Sequence, residues 1–233
     1  MSERFRPLVL CYHGFSDEAD HELLVRPRDL FRQVRLLQRW GYRPASAAEV
    51  LSGRGRLLHV TFDDAFKSVL VVLDDLERLG VPATVFTCSD LPERGWLDIP
   101  EVVEAAARHP GEFDVMGWEE LRELSARGVE VGAHTCSHPR LTTLGEAELN
   151  RELYESKQRI EAELGRACSL IAYPYGDEDG RVREAARRAG YRAAFALPGH
   201  RRGFDLHDLP RVGLYRKDGS LRAMLKTAGV ARR

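Results

Sequence analysis

An α/β fold of parallel strands is what this sequence predicts, and three observations carry the prediction. Short apolar, β-rich runs recur along the chain, amphipathic stretches at helical spacing lie between them, and the strand-then-helix pattern repeats about seven times. Consecutive strands joined through helices run parallel, because a crossover returns the chain to the same end of the sheet. Such alternation ends in either an open sheet or a closed barrel.

The strand candidates are residues 8–12, 57–62, 83–88, 129–133, 169–173, 193–197 and 209–215. Among the helices, 27–40 places Leu30, Val34 and Leu37 on one face, and 66–79 repeats Val69, Leu73, Leu76 and Leu79; Gly41 and Gly80 supply the stops. The segment 146–164 is preceded by Thr143, which with Glu146 forms a capping-box pattern, and its Leu149, Leu153, Ile160 and Leu164 make one stripe. From 89 to 117, Pro92, Gly95, Pro100, Pro110 and Gly111 surround a single helix candidate at 101–108, so this section reads as an insertion or lid over one end of the fold. No internal repeat or low-complexity stretch is visible, and 233 residues suit one domain spanning 1–233.

With 43% hydrophobic and 30% charged residues and a formal net charge of -1, the chain is neither disordered nor built around a broad nucleic-acid surface. Cys11, Cys88, Cys136 and Cys168 lie far apart without a Cys-x-x-Cys pair, which argues against a zinc knot and a disulfide framework. The apolar run after Pro7 is too short for a signal-peptide core or a membrane span, so a cytoplasmic protein with no membrane span is expected.

The polar signatures share one placement. His13 follows the first strand candidate, Asp63 and Asp64 the second, His134 the fourth with His138 four residues on, Tyr175 the fifth, and Arg211 lies in the last. Parallel α/β folds bind ligands beyond the carboxyl ends of their strands, so these residues would converge. Two imidazoles and a carboxylate suit a catalytic divalent cation and leave a coordination position for water. An aspartate lies about 12 pKa units below bulk water, but a metal brings water to about 7, within an aspartate's reach.

Alone, each motif has a plainer reading. An Asp-Asp pair is more often a turn or a cap, and His-x-x-x-His recurs by chance. His21, His59, His109, His200 and His207 lack partners at ligand spacing, so surface or core roles are expected for them, and Arg201-Arg202-Gly203 reads as a solvated loop.

Val60-Thr61-Phe62-Asp63-Asp64, His134-Thr135-Cys136-Ser137-His138-Pro139 and Tyr173-Pro174-Tyr175-Gly176, in this order, resemble the polysaccharide deacetylases of carbohydrate esterase family 4. The likeness takes in Tyr12-His13-Gly14, Trp118-Glu119-Glu120-Leu121, Gly190-Tyr191 and Leu209-Pro210-Arg211, so it covers nearly the whole chain. It implies a distorted (β/α)7 barrel of parallel strands with outer helices. It also implies a metal-dependent hydrolase that removes N-acetyl, less often O-acetyl or other acyl groups, from an amino sugar, glycoside or polysaccharide.

Carried over position by position, Asp64, His134 and His138 match the metal ligands and Asp63 the base acting on a metal-activated water. His13 is similar to an acid histidine that some members supply from an amino-terminal Tyr-His motif. The backbone N–H of Tyr175 matches an oxyanion donor, and Pro174, Tyr175 and Trp118 fall on the substrate side. The expected ion is Zn2+, with Co2+, Ni2+, Mn2+ and Fe2+ also admitted, and the expected partner is an acylated amino sugar. Oligomeric state is left open.

Two departures stand out. Ala65 occupies a position usually held by glycine, and Ala172 one where an arginine often orients the base. Arg211 is expected to reach Asp63 instead. The carboxy-terminal Leu-x-His motif of many members is not evident, which places weight on His13. Two rival readings remain: a non-haem iron oxygenase, which would leave Asp63 idle, and a carbohydrate-binding protein that keeps the fold without turnover, suggested by Ala65 and Ala172.

Overall fold

The computed structural model describes residues 7–52, 55–197 and 205–231. In chain order its strands are β1 (Leu8–Tyr12), β2 (Gly14–Phe15), β3 (Leu24–Val25), β4 (Arg43–Pro44), β5 (Leu57–Phe62), β6 (Ala83–Thr87), β7 (Glu130–Ala133), β8 (Leu170–Ala172), β9 (Ala193–Ala196), β10 (Leu209–Pro210) and β11 (Val212–Gly213). Its helices are α1 (Pro27–Arg39), α2 (Ala47–Val50), α3 (Leu70–Arg78), α4 (Leu91–Arg94), α5 (Pro100–Arg108), α6 (Trp118–Ala126), α7 (Glu146–Leu164), α8 (Gly180–Arg188) and α9 (Ser220–Ala231).

Eight strands follow one parallel path, β10-β9-β8-β7-β6-β5-β1-β11, with β4 paired to the foot of β5. The ends of that path are two halves of one segment. β10 pairs with β9 and β11 with β1, and the chain passes from one neighbour to the other at Arg211. Arg211 N–H donates to Ala196 O at 3.0 Å and Leu214 N–H to Cys11 O at 2.9 Å, so the last segment closes the sheet on itself. Counted once, the split strand makes a seven-staved barrel ringed by helices, and the split is its distortion.

Side chains alternate across each strand and so divide the interior in two. On β5, Leu58, Val60 and Phe62 join the layer between barrel and helices, while Leu57 joins Val9, Phe86, Leu170, Ala172, Ala193, Phe195 and Leu209 in the barrel lumen. Ala45, Ala47, Val50 and Leu51, around α2, plug the lumen at the amino-terminal ends of the strands. Glycine at 132 is what lets Phe86 fill the middle, since a Cβ there would fall 2.5 Å from the ring.

Two expectations need correction. Helix α7 does begin at Glu146, but Thr143 does not cap it: Gly145 is the N-cap, and Thr143 Oγ1 donates to Arg140 O at 2.7 Å inside the turn Leu141–Thr143. Glu146 is therefore the first helical residue and not the third, two places too early for a reciprocal box. Helix 66–79 opens as a 3-10 turn, Lys67–Val69, before α3.

Residues 89–117 hold α4, which was not expected, as well as α5, and they are bonded to the loops that follow β5 and β7. Ser89 and Asp90 N–H donate to Thr135 and Cys136 O at 3.0 and 3.1 Å; Met116 N–H donates to Ala65 O at 2.9 Å, and Lys67 N–H to Asp114 O at 2.7 Å. Among the described residues no helix is long and apolar enough to cross a membrane.

One buried polar group inside the lumen sets a pH dependence. His59 lies between Ala45 O (2.8 Å from Nδ1) and Thr84 Oγ1 (2.8 Å from Nε2), and burial lowers its pKa to about 4. As pH falls the unfolded chain takes up this proton first, so the contribution present above 6.5 is lost between 6.5 and 4. Urea unfolding at pH 7 and at pH 4.5 is expected to show a stability loss about 2–3 kcal/mol larger for wild type than for His59→Gln; equal losses would contradict this.

Candidate active site

Three loops at the carboxyl ends of the strands build the site. β5 ends at Phe62, and Asp63 N–H is still bonded to Tyr12 O at 2.9 Å, so Asp63 continues the lumen-facing series of His59 and Thr61. Asp64 and Ala65 then turn left-handed, with φ of 66° and 51°, which sends the Asp64 carboxylate elsewhere. Among the described residues the non-glycine positions with positive φ are Asp64, Ala65, Thr135, His138 and Tyr175, and every one lies in these three loops. Backbone strain of this kind persists only where surrounding structure enforces it, and it clusters at functional sites. Ala65 carries a cost of roughly 1–2 kcal/mol that glycine would avoid.

Asp64, His134 and His138 meet in a buried cluster. Asp64 Oδ1 stands 3.6 Å from His134 Nε2 and 3.5 Å from His138 Nε2. Ligand atoms at 2.0–2.2 Å from a tetrahedral ion are separated by about 3.3–3.6 Å, so these spacings fit. Asp64 Oδ1 has no hydrogen-bond partner although it is buried, a condition that proteins rarely leave uncompensated. His134 Nδ1 lies 2.7 Å from Ala172 O; as a donor there, it leaves the Nε2 lone pair turned toward Asp64. Burial and then the neighbouring Asp63 push the Asp64 carboxyl well above its usual range, while burial holds both imidazoles below 6.5. A divalent cation would compensate this concentration of buried acceptors.

Asp63 is engaged differently. Arg211 forks onto it, Nη1 to Oδ1 at 2.6 Å and Nη2 to Oδ2 at 2.8 Å, and Nη1 also meets Thr61 Oγ1 at 3.1 Å. The contact expected between Arg211 and Asp63 is therefore present, with the guanidinium fully buried. Burial, the largest single effect, would raise the Asp63 carboxyl, but the charge and hydrogen bonds of Arg211 together with the nearby His134 and His13 outweigh it and hold the group well below the ordinary carboxylate range. Cys11 Sγ adds a third contact at 3.4 Å.

His13 leaves β1 beside this pair. Its ring stacks on Tyr215 with centroids 6.0 Å apart, its Nδ1 is buried without a partner, and ligand atoms of His13, Cys11 and Asp63 lie within 4.8 Å of one another. Burial lowers its pKa to about 4, against the opposing pull of Asp63, so it is neutral at pH 7. Sequence reasoning missed both Cys11 and Tyr215. Cys11 carried a signal, since it lies two residues before His13 on the same strand face; Tyr215 lies beyond the last strand and carried none.

The third loop is the turn Pro174–Gly176, closed by Gly176 N–H to Tyr173 O and Asp177 N–H to Pro174 O. Gly176 is required there, because a Cβ would fall 2.3 Å from Leu197. Pro174 is buried, while the Tyr175 ring is 42% exposed, lies edge-on to His138 with centroids 4.7 Å apart, and carries Arg140 4.2 Å above it. Trp118 does not join this group. It opens α6 in the core, 8% exposed, with Arg159 of α7 5.8 Å from its ring centroid. His207 bonds to Tyr191 O at 2.9 Å, and His200 and Arg201-Arg202-Gly203 lie outside the described residues.

Comparison with known proteins gives the family and the fold. Residues 52–194 match the family described as Polysaccharide deacetylase, and the chain belongs to that family. It is 30% identical over 123 residues to the chitooligosaccharide deacetylase of Sinorhizobium fredii, covering 49% of this chain. It is 26% identical over 246 residues to the poly-β-1,6-N-acetyl-D-glucosamine N-deacetylase of Escherichia coli, covering 88% of this chain. The matches span 56% and 36% of the length of those two relatives. Its fold is that of IcaB from Ammonifex degensii, with a TM-score of 0.78 at 23% identity over 96% of this chain and 97% of the other.

The two adjacent aspartates should separate cleanly by experiment. Because both Asp63 oxygens are bonded to Arg211, Asp63→Asn is expected to retain stoichiometric zinc and Asp64→Asn to lose it, as measured by elemental analysis after dialysis. Equal loss in both variants would contradict the division.

Proposed function

We propose that this chain is a metal-dependent deacetylase that removes N-acetyl groups from an amino sugar within a glycoside, oligosaccharide or polysaccharide. What carries the reading is the unpaired Asp64 Oδ1 buried between two imidazoles, beside a second carboxylate already held by Arg211. Asp64, His134 and His138 would hold the ion, for which Zn2+ is the first candidate; Co2+, Ni2+, Mn2+ and Fe2+ suit the same donors. When bound, such an ion polarises an acyl carbonyl and brings the pKa of water to about 7.

The chain's own groups do the rest. Asp63 is oriented by the Arg211 fork and its Oδ2 lies 4.0 Å from His134 Nε2, so it borders the cluster and can accept a hydrogen bond from a water there. The same fork makes Asp63 a weak base, so a proton it receives is passed on readily. His13, neutral and with an unpartnered Nδ1, is the neighbour able to take that proton and deliver it to the departing amine nitrogen. The N–H of Tyr175 serves the carbonyl oxygen in this reading, a donor worth roughly 10²–10³ in rate at comparable sites. Pro174 and the half-exposed Tyr175 ring border the sugar.

The substrate class comes from the two relatives, one named for chitooligosaccharides and the other for poly-β-1,6-N-acetyl-D-glucosamine. A second reading, a carbohydrate-binding protein without turnover, is favoured by one observation, the strained Ala65 in a glycine position. Zinc-loaded protein is expected to release acetate from N-acetylglucosamine oligomers, with or without oxygen, and to stop on addition of a chelator. No acetate from any acylated sugar with zinc bound would establish the second reading.

A further inference from the structure

The loop that carries both histidine ligands is held from behind by a buried acid. The inward face of α7 consists of Leu149, Glu152, Leu153, Ser156 and Ile160, and Glu152 is 1% exposed in that company. Its Oε2 accepts the N–H groups of Cys136 and Ser137 at 2.8 and 3.0 Å; its Oε1 accepts Ser137 Oγ at 2.9 Å and Arg151 Nη2 at 3.0 Å. Three of those four donors belong to the residues between His134 and His138.

That loop is twisted. Thr135 and His138 have φ of 72° and 68°, and for a β-branched threonine this is a rare conformation. Thr135 Oγ1 accepts the His138 N–H at 3.1 Å, and the two intervening N–H groups converge on one carboxylate, as backbone concavities do around anions. A relaxed loop would turn these N–H groups away and leave a buried charge with only the rim-side Arg151, at a high desolvation cost.

From this geometry we infer that Glu152 is a positioning residue for the metal ligands: its charge locks the strained loop so that His134 and His138 face Asp64 before an ion arrives. The inference rests on the metal reading above. It predicts that loss of the charge acts on metal affinity beyond any effect on folding.

The test compares Glu152→Gln with Leu153→Ala, the next residue on the same buried face of α7, by zinc competition against a chromophoric chelator and by thermal unfolding of the metal-free proteins. Glu152→Gln is expected to bind zinc about 10- to 100-fold more weakly. Leu153→Ala should stay within about twofold of wild type even at an equal or larger loss of Tm. Cobalt absorption should change in the first variant and not in the second. If Glu152→Gln fails to fold, Ser137→Ala removes one contact to the same carboxylate and is expected to weaken zinc binding in the same direction without unfolding the chain. Affinity in the Glu152 or Ser137 variant that merely matches Leu153→Ala overturns the role of Glu152 alone; a wild-type protein that binds no zinc overturns the metal reading as well.

Discussion

The buried pair of Arg211 and Asp63 is the constraint from which the rest of the site follows. Arg211 stands at the point where the last segment leaves β9 and joins β1, so the residue that closes the barrel also reaches across the lumen to the end of β5. Removing one member of such a pair strands a charge in a low-dielectric interior, at a cost of about 3–5 kcal/mol. With its oxygens taken by the fork, Asp63 is poorly placed to ligate an ion, and the adjacent Asp64 can do so only because the backbone turns left-handed immediately after Asp63. Two neighbouring carboxylates thereby acquire opposite environments, one compensated by a guanidinium and the other left with an unpartnered oxygen.

The loops carry strain that the surroundings must offset. Residues 89–117 bond to the backbone after both β5 and β7, and α7 contributes hydrogen bonds to the loop between the two histidines. Read as a lid in the sequence, the 89–117 segment has the contacts of a wall that fixes the two motif loops relative to each other. Strain, support and unpaired acceptors thus occur together, as expected where ligand atoms are arranged in advance of the ligand.

Much of this was legible in the sequence because the strands are buried on both faces and read as continuous apolar runs. Six staves fall within one residue of their expected ends, and the polar residues after β1, β5, β7 and β8 mark the mouth of the barrel. The last strand was read as one run because nothing in Leu209–Pro210 and Val212–Gly213 announces a change of partner at Arg211. Two-residue strands such as β4 are too short to show a period, and α8 hides because its buried face is only Val182, Ala185 and Ala186 among arginines. Glu152 left a faint trace, an acid three residues after Leu149 on an otherwise apolar stripe, but its meaning depends on which loop packs against that stripe. Trp118, assigned to the substrate side by resemblance, fills the core at the start of α6, a distinction that residue type alone does not make.

Anomalous diffraction at the metal edge from crystals of the zinc-loaded protein tests the central division most directly. One ion is expected, bound by Asp64 Oδ1, His134 Nε2 and His138 Nε2 at about 2.0–2.2 Å, with the Asp63 carboxylate still paired to Arg211. An ion on Asp63, His13 or Cys11, with the guanidinium displaced, would contradict it.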